Sequence, residues 1–154
     1  MKIRIATPKD APGVSSLISA SAHRFMVRPD GLGAERFLES VAPQAIASYI
    51  SNPSFHYVVA VCNSNVVGAA ALRDGTHIFH LFVSPPMQGL GLGRALWSTL
   101  KGIAASNTDT LTVNASPNAV AIYERFGFEA TGPRTEVGGI YYVPMTARIE
   151  PIET

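Results

Sequence analysis

The stretch P-P-M-Q-G-L-G-L-G-R-A-L, residues 85 to 96, sets glycines 89, 91 and 93 at alternate positions between an apolar run and an amphipathic one. Small residues in succession let backbone N–H groups point inward at one guest, and a helix N-terminus behind them adds about half a positive charge. The natural guest is an anion, a phosphate or pyrophosphate. One helix end contributes only ~0.3 to 1 kcal/mol, so several N–H hydrogen bonds must share the work. A nucleotide P-loop is excluded, because Arg94 stands where its lysine would be and no hydroxyl residue follows. A dinucleotide fingerprint fits poorly as well, since Gly91 and Gly93 are followed by Leu96 and the preceding strands read as antiparallel. What remains is Q-x-x-G-x-G, from Gln88 to Gly93.

Of the remaining reactive residue types, the single cysteine, Cys62, lies inside the apolar run H-Y-V-V-A-V-C. It is expected to be a buried structural thiol, and apolar surroundings would raise its pKa and make it a poor nucleophile. Within 154 residues one compact domain, 1–154, is expected, large enough to bury a real core. Hydrophobic residues make up 47% and charged residues 15%, which leaves apolar surface for a ligand cleft or for a subunit contact such as a homodimer's. The formal net charge of +1, without a run of Lys or Arg, argues against nucleic acid as a partner. No stretch approaches the ~18 uninterrupted apolar residues of a membrane span and no secretory leader is visible, so a soluble cytoplasmic protein is expected.

The elements that must position the glycine turn follow from periodicity. K-I-R-I-A alternates as a half-buried strand does, and T-P-K-D starts a helix expected over about residues 8 to 21, with Thr7 as cap and Pro8 at its first position. Two short helical pieces are expected on either side of Pro43. F-H-Y-V-V-A-V-C, V-V-G-A-A-A-L-R and T-H-I-F-H-L-F-V then read as three successive antiparallel strands joined by short turns. After the glycine turn a helix carries Leu92, Leu96, Leu100 and Ile103 on one side, to about residue 106. D-T-L-T-V-N-A is a strand, S-P-N-A-V-A-I-Y-E-R-F a short helix capped by Ser116, and the two segments around Gly138 and Gly139 close the chain as strands. In the last of these, Pro144 suggests an edge or a bulge. The order is that of a mixed α/β domain.

At the glycine loop the chain resembles the GNAT N-acetyltransferase superfamily, whose acyl-coenzyme A loop has the form Q/R-x-x-G-x-G/A. The flanks H-L-F-V-S-P-P-M-Q-G-L-G-L-G-R-A-L and N-A-S-P-N-A-V-A-I-Y-E-R-F-G-F share the resemblance, which spans nearly the whole chain but has no motif in the first fifty residues. It implies a GNAT-type acyltransferase fold, α/β (α+β mixed), with a central, mostly antiparallel sheet of about seven strands and about four helices. It also implies acetyl-coenzyme A as cosubstrate, with no metal, and an amine as acceptor.

Residue by residue, the resemblance assigns backbone groups of Leu81, Phe82 and Val83 to the pantetheine arm. An amide there would also polarise the thioester carbonyl, and such donors typically contribute ~3 to 4 kcal/mol. Gln88 and the N–H groups of Gly89, Leu90, Gly91, Leu92, Gly93 and Arg94 would take the pyrophosphate. The Arg94 side chain either reaches an outer phosphate or is a solvated first-turn residue. Tyr123, ahead of Gly127-Phe128, is at the family's position for the donor that protonates the departing thiolate, although core packing with Val120 and Phe126 also accounts for it. An alkylammonium with a pKa of ~10.4 must lose a proton before it attacks. Counting back eleven residues from Gln88 places the base at His77; His80 lies on the opposite face of a regular strand unless a bulge intervenes, and a water is the third option. Where many members carry an asparagine for the pantetheine arm this chain has Ser116, flanked by Asn114 and Asn118, each of which can supply the contact. Acceptor recognition falls to H-R-F-M-V-R-P-D-G, the helical pieces to Tyr49, and Glu136, Tyr141 and Tyr142. These suit a small-molecule amine, an amino acid or a peptide. Acetyl would pass directly in a ternary complex; a sensor that binds acyl-coenzyme A without turnover is the runner-up, and a nucleotide-binding protein of another class the third reading.

Overall fold

The computed structural model describes residues 1–150. Eight strands and five helices alternate as β1 (Lys2–Ile5), α1 (Ala11–Ser21), α2 (Glu35–Ser40), α3 (Pro43–Ser51), β2 (Phe55–Cys62), β3 (Asn65–Arg73), β4 (His77–Val83), α4 (Leu92–Ala104), β5 (Thr110–Ala115), α5 (Val120–Arg125), β6 (Glu129–Ala130), β7 (Thr135–Val137) and β8 (Ile140–Arg148). The sheet order is β1-β2-β3-β4-β5-β8-β6, with β7 on the first residues of β8. Every pairing is antiparallel except β4 with β5, which the α4 crossover makes parallel. The mixed α/β fold is as expected, with one more strand and one more helix. The segment E-A-T-G-P-R-T-E-V breaks at Gly132-Pro133 into β6 and β7, and the two helical pieces expected around Pro43 count as separate helices, α2 and α3.

Two cores sit on opposite faces of the sheet. Tyr57, Val59, Ala69 and Ala71 of β2 and β3 pack under α1 and α3 with Val14, Ile18 and Ile46. Val58, Ala60, Ala70 and Leu72 of the same strands pack under α4 with Leu92, Leu96, Trp97 and Leu100. Burial on both faces is why these two strands read as unbroken apolar runs rather than as alternating ones. Strand β5 does alternate: Leu111, Val113 and Ala115 are buried, whereas Thr112 and Asn114 are exposed, because no helix covers its second face.

Thr7 is the N-cap residue as expected, in a capping box where the Asp10 carboxylate accepts from the Thr7 N–H (2.8 Å). The same carboxylate accepts from Arg4 Nη1 and Nη2 (2.8 and 2.9 Å). Pro144 pairs with Asn114 of β5 on one side, and on the other it stands at the break between β6 and β7, where residues 131–134 face residues 143–144, an irregularity of the expected kind. Its carbonyl accepts from Thr131 N–H (2.8 Å), just past the last residue of β6. The missing Pro144 N–H faces the same side, so the ladder with β5 loses nothing.

Two irregularities of β4 shape the site. The register runs Ala71↔His80 and then Leu72↔Ile78, so Phe79 is an extra residue, a β-bulge that puts His77 and His80 on the same face. On its other edge, β4 pairs with β5 only at His77↔Thr112 and Ile78↔Val113. Beyond Ile78 the two strands separate, and β4 has no neighbour on that side.

Candidate functional site

The gap between β4 and β5 opens into a cavity of about 610 Å³ that passes through the sheet. On one face its walls are the glycine loop, α4 and α5; on the other they are Ser21, Arg24 and Phe25, just after α1. Leu81 and Val83 side chains belong to the α4 core and Phe82 to the α1 core, so the cavity meets both faces at the free edge of β4.

The direction of each main-chain group on that edge follows from the ladder. Ser84 N–H donates to Val67 carbonyl (2.8 Å), so Ser84 faces β3. Alternation then turns the N–H and C=O groups of Leu81 and Val83 toward the gap and those of Phe82 toward β3. The expectation for Phe82 is corrected accordingly: its side chain lines the cavity, but its main chain is committed to the sheet. Gln88 Nε2 donates to the Val83 carbonyl (3.1 Å), which ties the glycine loop to the end of the strand.

Gly89 and Gly91 adopt φ of +79° and +86°. These left-handed values, which side chains disfavour, fold the loop so that its amides face inward. No amide from Gly89 to Arg94 donates to a main-chain or side-chain acceptor among the described residues, and the first bonded one is Ala95 N–H, to Gly91 carbonyl (3.0 Å). Six donors without internal partners sit at the N-terminus of a thirteen-residue helix. The expected side-chain contributions are narrower. Gly89, Gly91, Gly93 and Arg94 line the cavity, whereas Leu90 points to solvent, Leu92 is buried in the α4 core, and neither of these two is among the lining residues.

Arg94 places its guanidinium 5.4 Å above the Phe126 ring, which in turn stacks on Trp97 at 5.6 Å. That stack holds the charge at the cavity wall rather than free in solvent. With Arg24 and Arg125 it makes three arginines among the lining residues, and no Asp or Glu lines the cavity. The site is therefore built for anions. Arg125 escaped the sequence reading, because its position in the last turn of α5 carries no local signal. Arg24 was visible only as part of an acceptor loop.

Tyr123 lies on the cavity wall, 5% exposed, with Phe126 and Phe128 edge-on to its ring. The ring thus packs in the core, as one reading expected, and also borders the cavity. Its hydroxyl has no hydrogen-bond partner among the described residues, yet no fully buried polar side-chain atom is left unpartnered, so the hydroxyl opens onto the cavity. Burial pushes its pKa up, which keeps it protonated. Ser116 and Asn118 also line the cavity. Ser116 occupies the cap position of the turn before α5 but makes no side-chain cap bond. Asn114 instead projects from the exposed face of β5 and is not among the lining residues.

Neither histidine lines the cavity. His77 sits where β4 and β5 still pair, its Nδ1 2.8 Å from Thr112 Oγ1, and burial together with the nearby Arg73 charge lowers its pKa. His80 is 7% exposed, joined to Tyr57 Oη by a 2.7 Å hydrogen bond and surrounded by Tyr49, Phe79 and Phe82. Burial pushes its pKa down to about 3, so it is neutral near pH 7. Among the described residues no helix is long and apolar enough to cross a membrane.

The family model for the acetyltransferase (GNAT) domain matches residues 25–149. Among solved structures, the chain is similar to a GCN5-related N-acetyltransferase from Rhodopseudomonas palustris, at 24% identity and a TM-score of 0.75, covering 96% of this chain and 95% of that one. It is also similar to the PaiA N-acetyltransferase from Thermoplasma acidophilum in complex with coenzyme A (14% identity, TM-score 0.72, 96% and 98% covered). A third is the aminoglycoside 6′-N-acetyltransferase from Enterococcus faecium (16% identity, TM-score 0.68, 100% of both chains covered). No curated protein matches the chain significantly.

Proposed function

From the premise that this chain belongs to the GNAT acetyltransferase domain family and is an acetyl-coenzyme A-dependent N-acetyltransferase, we propose that it passes acetyl directly to a primary amine in a ternary complex. The observation that carries this reading is the free edge of β4, followed after a short turn over Pro85–Met87 by six amides without internal partners among the described residues. A pantetheine arm carries amides of its own and is the complement of such an edge; Leu81 and Val83 are its partners. The pyrophosphate rests on the N–H groups of Gly89 to Arg94, with the arginines 94 and 125 beside it. Ser116 and Asn118, rather than Asn114, contact the arm.

The departing thiolate takes its proton from the Tyr123 hydroxyl, which burial keeps protonated. For the amine's proton His77 is the receiving group, reached through water because it stands back from the cavity. In the tautomer with its proton on Nδ1, donated to Thr112 Oγ1, the Nε2 lone pair is available. His80 is a poor base, since a group with a pKa near 3 holds almost no proton near pH 7. Replacing His77 by alanine removes one ionisation from the pH profile of turnover; an unchanged profile leaves water or another residue as the base.

Thiol release from acetyl-coenzyme A against a panel of amines tests the whole reading. At least one amine should raise release well above the rate without acceptor. Tight cofactor binding with no amine-dependent release would establish the sensor instead.

A further inference from the structure

The two sides of the cavity differ in chemistry. On the α4 and α5 side it is lined by Gly89, Gly91 and Gly93 of the glycine loop and by Arg94 and Arg125. On the α1 side the lining side chains are Ser21, Arg24 and Phe25, beside Phe82. Ser21 is occupied, its hydroxyl donating to Leu17 carbonyl (3.2 Å), and Phe25 packs on Phe37 and Phe82 with ring centroids at 5.3 and 6.3 Å. Arg24 has neither a hydrogen bond nor an ion pair among the described residues. Its wall is nevertheless fixed. Tyr141 N–H donates to Phe25 carbonyl (2.8 Å) and Val27 N–H to Gly139 carbonyl (2.8 Å), fastening the turn after α1 to β8.

An acceptor must come in opposite the phosphates, because the α4 mouth is taken by the cofactor in the reading above, on which this inference rests. It then meets one unpaired guanidinium, two apolar rings and no carboxylate. A polycationic amine is disfavoured beside that guanidinium. We propose that Arg24 selects acceptors that carry a carboxylate beside the amine, an α-amino acid with an apolar side chain fitting best. The guanidinium takes the carboxylate as a bidentate pair and leaves the amine directed at the thioester, while Phe25 and Phe82 receive the side chain. Arg24 is thus a specificity-determining residue and takes no part in proton transfer.

The test compares phenylalanine with phenylalaninamide, and both with spermidine. Binding to the protein–coenzyme A complex is read by calorimetry, and kcat/KM by thiol release with acetyl-coenzyme A. The carboxamide's amine is the weaker base and so the more deprotonated, which biases the rate comparison against the proposal. Phenylalanine should nevertheless win by about tenfold or more, with spermidine weakest, in keeping with a charge-assisted bidentate pair. Arg24→Gln should remove that preference by raising KM for the amino acid, with kcat and the KM for acetyl-coenzyme A within about twofold. Equal or better performance of the carboxamide or of spermidine overturns the proposal. So does an Arg24→Gln variant whose KM rises for acetyl-coenzyme A instead, which would move Arg24 to the cofactor. Absence of any heat with coenzyme A would sink the parent reading, whereas normal coenzyme A binding without acid over amide discrimination sinks this inference alone.

Discussion

The two edges of β4 lead different lives. Toward β3 the strand is laddered along its whole length, and both faces of that half of the sheet lie under helices. Toward β5 the ladder stops after two residue pairs. Unpaired strand edges invite unwanted pairing, and proteins usually cover or charge them. Here the open edge lines the cavity, with the glycine loop and α5 on one face and the residues just after α1 on the other, and it can pair with an amide-bearing chain. On the proposed reading the closed edge contributes stability and the open edge contributes binding. Substitutions on the two sides should therefore separate these quantities.

The largest expected effect is on the open side. Gly91→Glu puts a side chain at a φ of +86° and a carboxylate among the phosphate-facing amides, and coenzyme A affinity should fall by about a hundredfold or more in titration calorimetry. Near-normal affinity would remove the glycine loop from the site. On the closed side, Leu96→Ala hollows the α4 core, where Leu96 is fully buried, and should cost ~2 to 5 kcal/mol in denaturant unfolding. Coenzyme A affinity of the folded fraction should change little; a large loss would mean that the two sides are not separable. Tyr123→Phe keeps the ring packing and removes the hydroxyl. Turnover should drop on the order of a hundredfold while the coenzyme A Kd stays within about twofold, and equal turnover would leave the thiolate to water.

The smallest effect sharpens the closed side. His80 has a folded pKa of about 3 against about 6.5 when unfolded, so between those values the unfolded chain binds the extra proton. Its contribution favours the fold above pH ~6.5 and is lost as pH falls toward 3, by at most ~1.4 kcal/mol per pH unit. Tyr57→Phe combined with His80→Leu removes both partners of the buried hydrogen bond, and its stability should fall less steeply between pH 6.5 and 4.5 in thermal melts. A slope as steep as that of the unaltered protein would place the acid sensitivity elsewhere.

What the sequence made legible was whatever repeats locally. The Q-x-x-G-x-G spacing marked the loop, the 3.6 period marked α4, and Tyr123 stood out by its distance from Gly127-Phe128. Pairing across the sheet was not legible. Nothing in the run of residues around Phe79 announces an extra residue, since a bulge is defined only against the partner strand, and so the shared face of His77 and His80 came only with the structure. The same holds for Phe82, whose main chain faces β3 because of where Ser84 pairs. Asn114 and Asn118 look alike in sequence, yet one ends on an exposed strand face and the other on the cavity wall. Arg24 and Arg125 belong to the site through tertiary approach alone, which no local pattern encodes.

Amide hydrogen exchange, followed residue by residue with and without coenzyme A, tests the open edge most directly. The account predicts new protection at Leu81, at Val83 and from Gly89 to Arg94, with Phe82 already protected by β3 and unchanged. Protection that appears at Phe82 but not at its two neighbours, or that spares residues 89 to 94 while coenzyme A is bound, would contradict it.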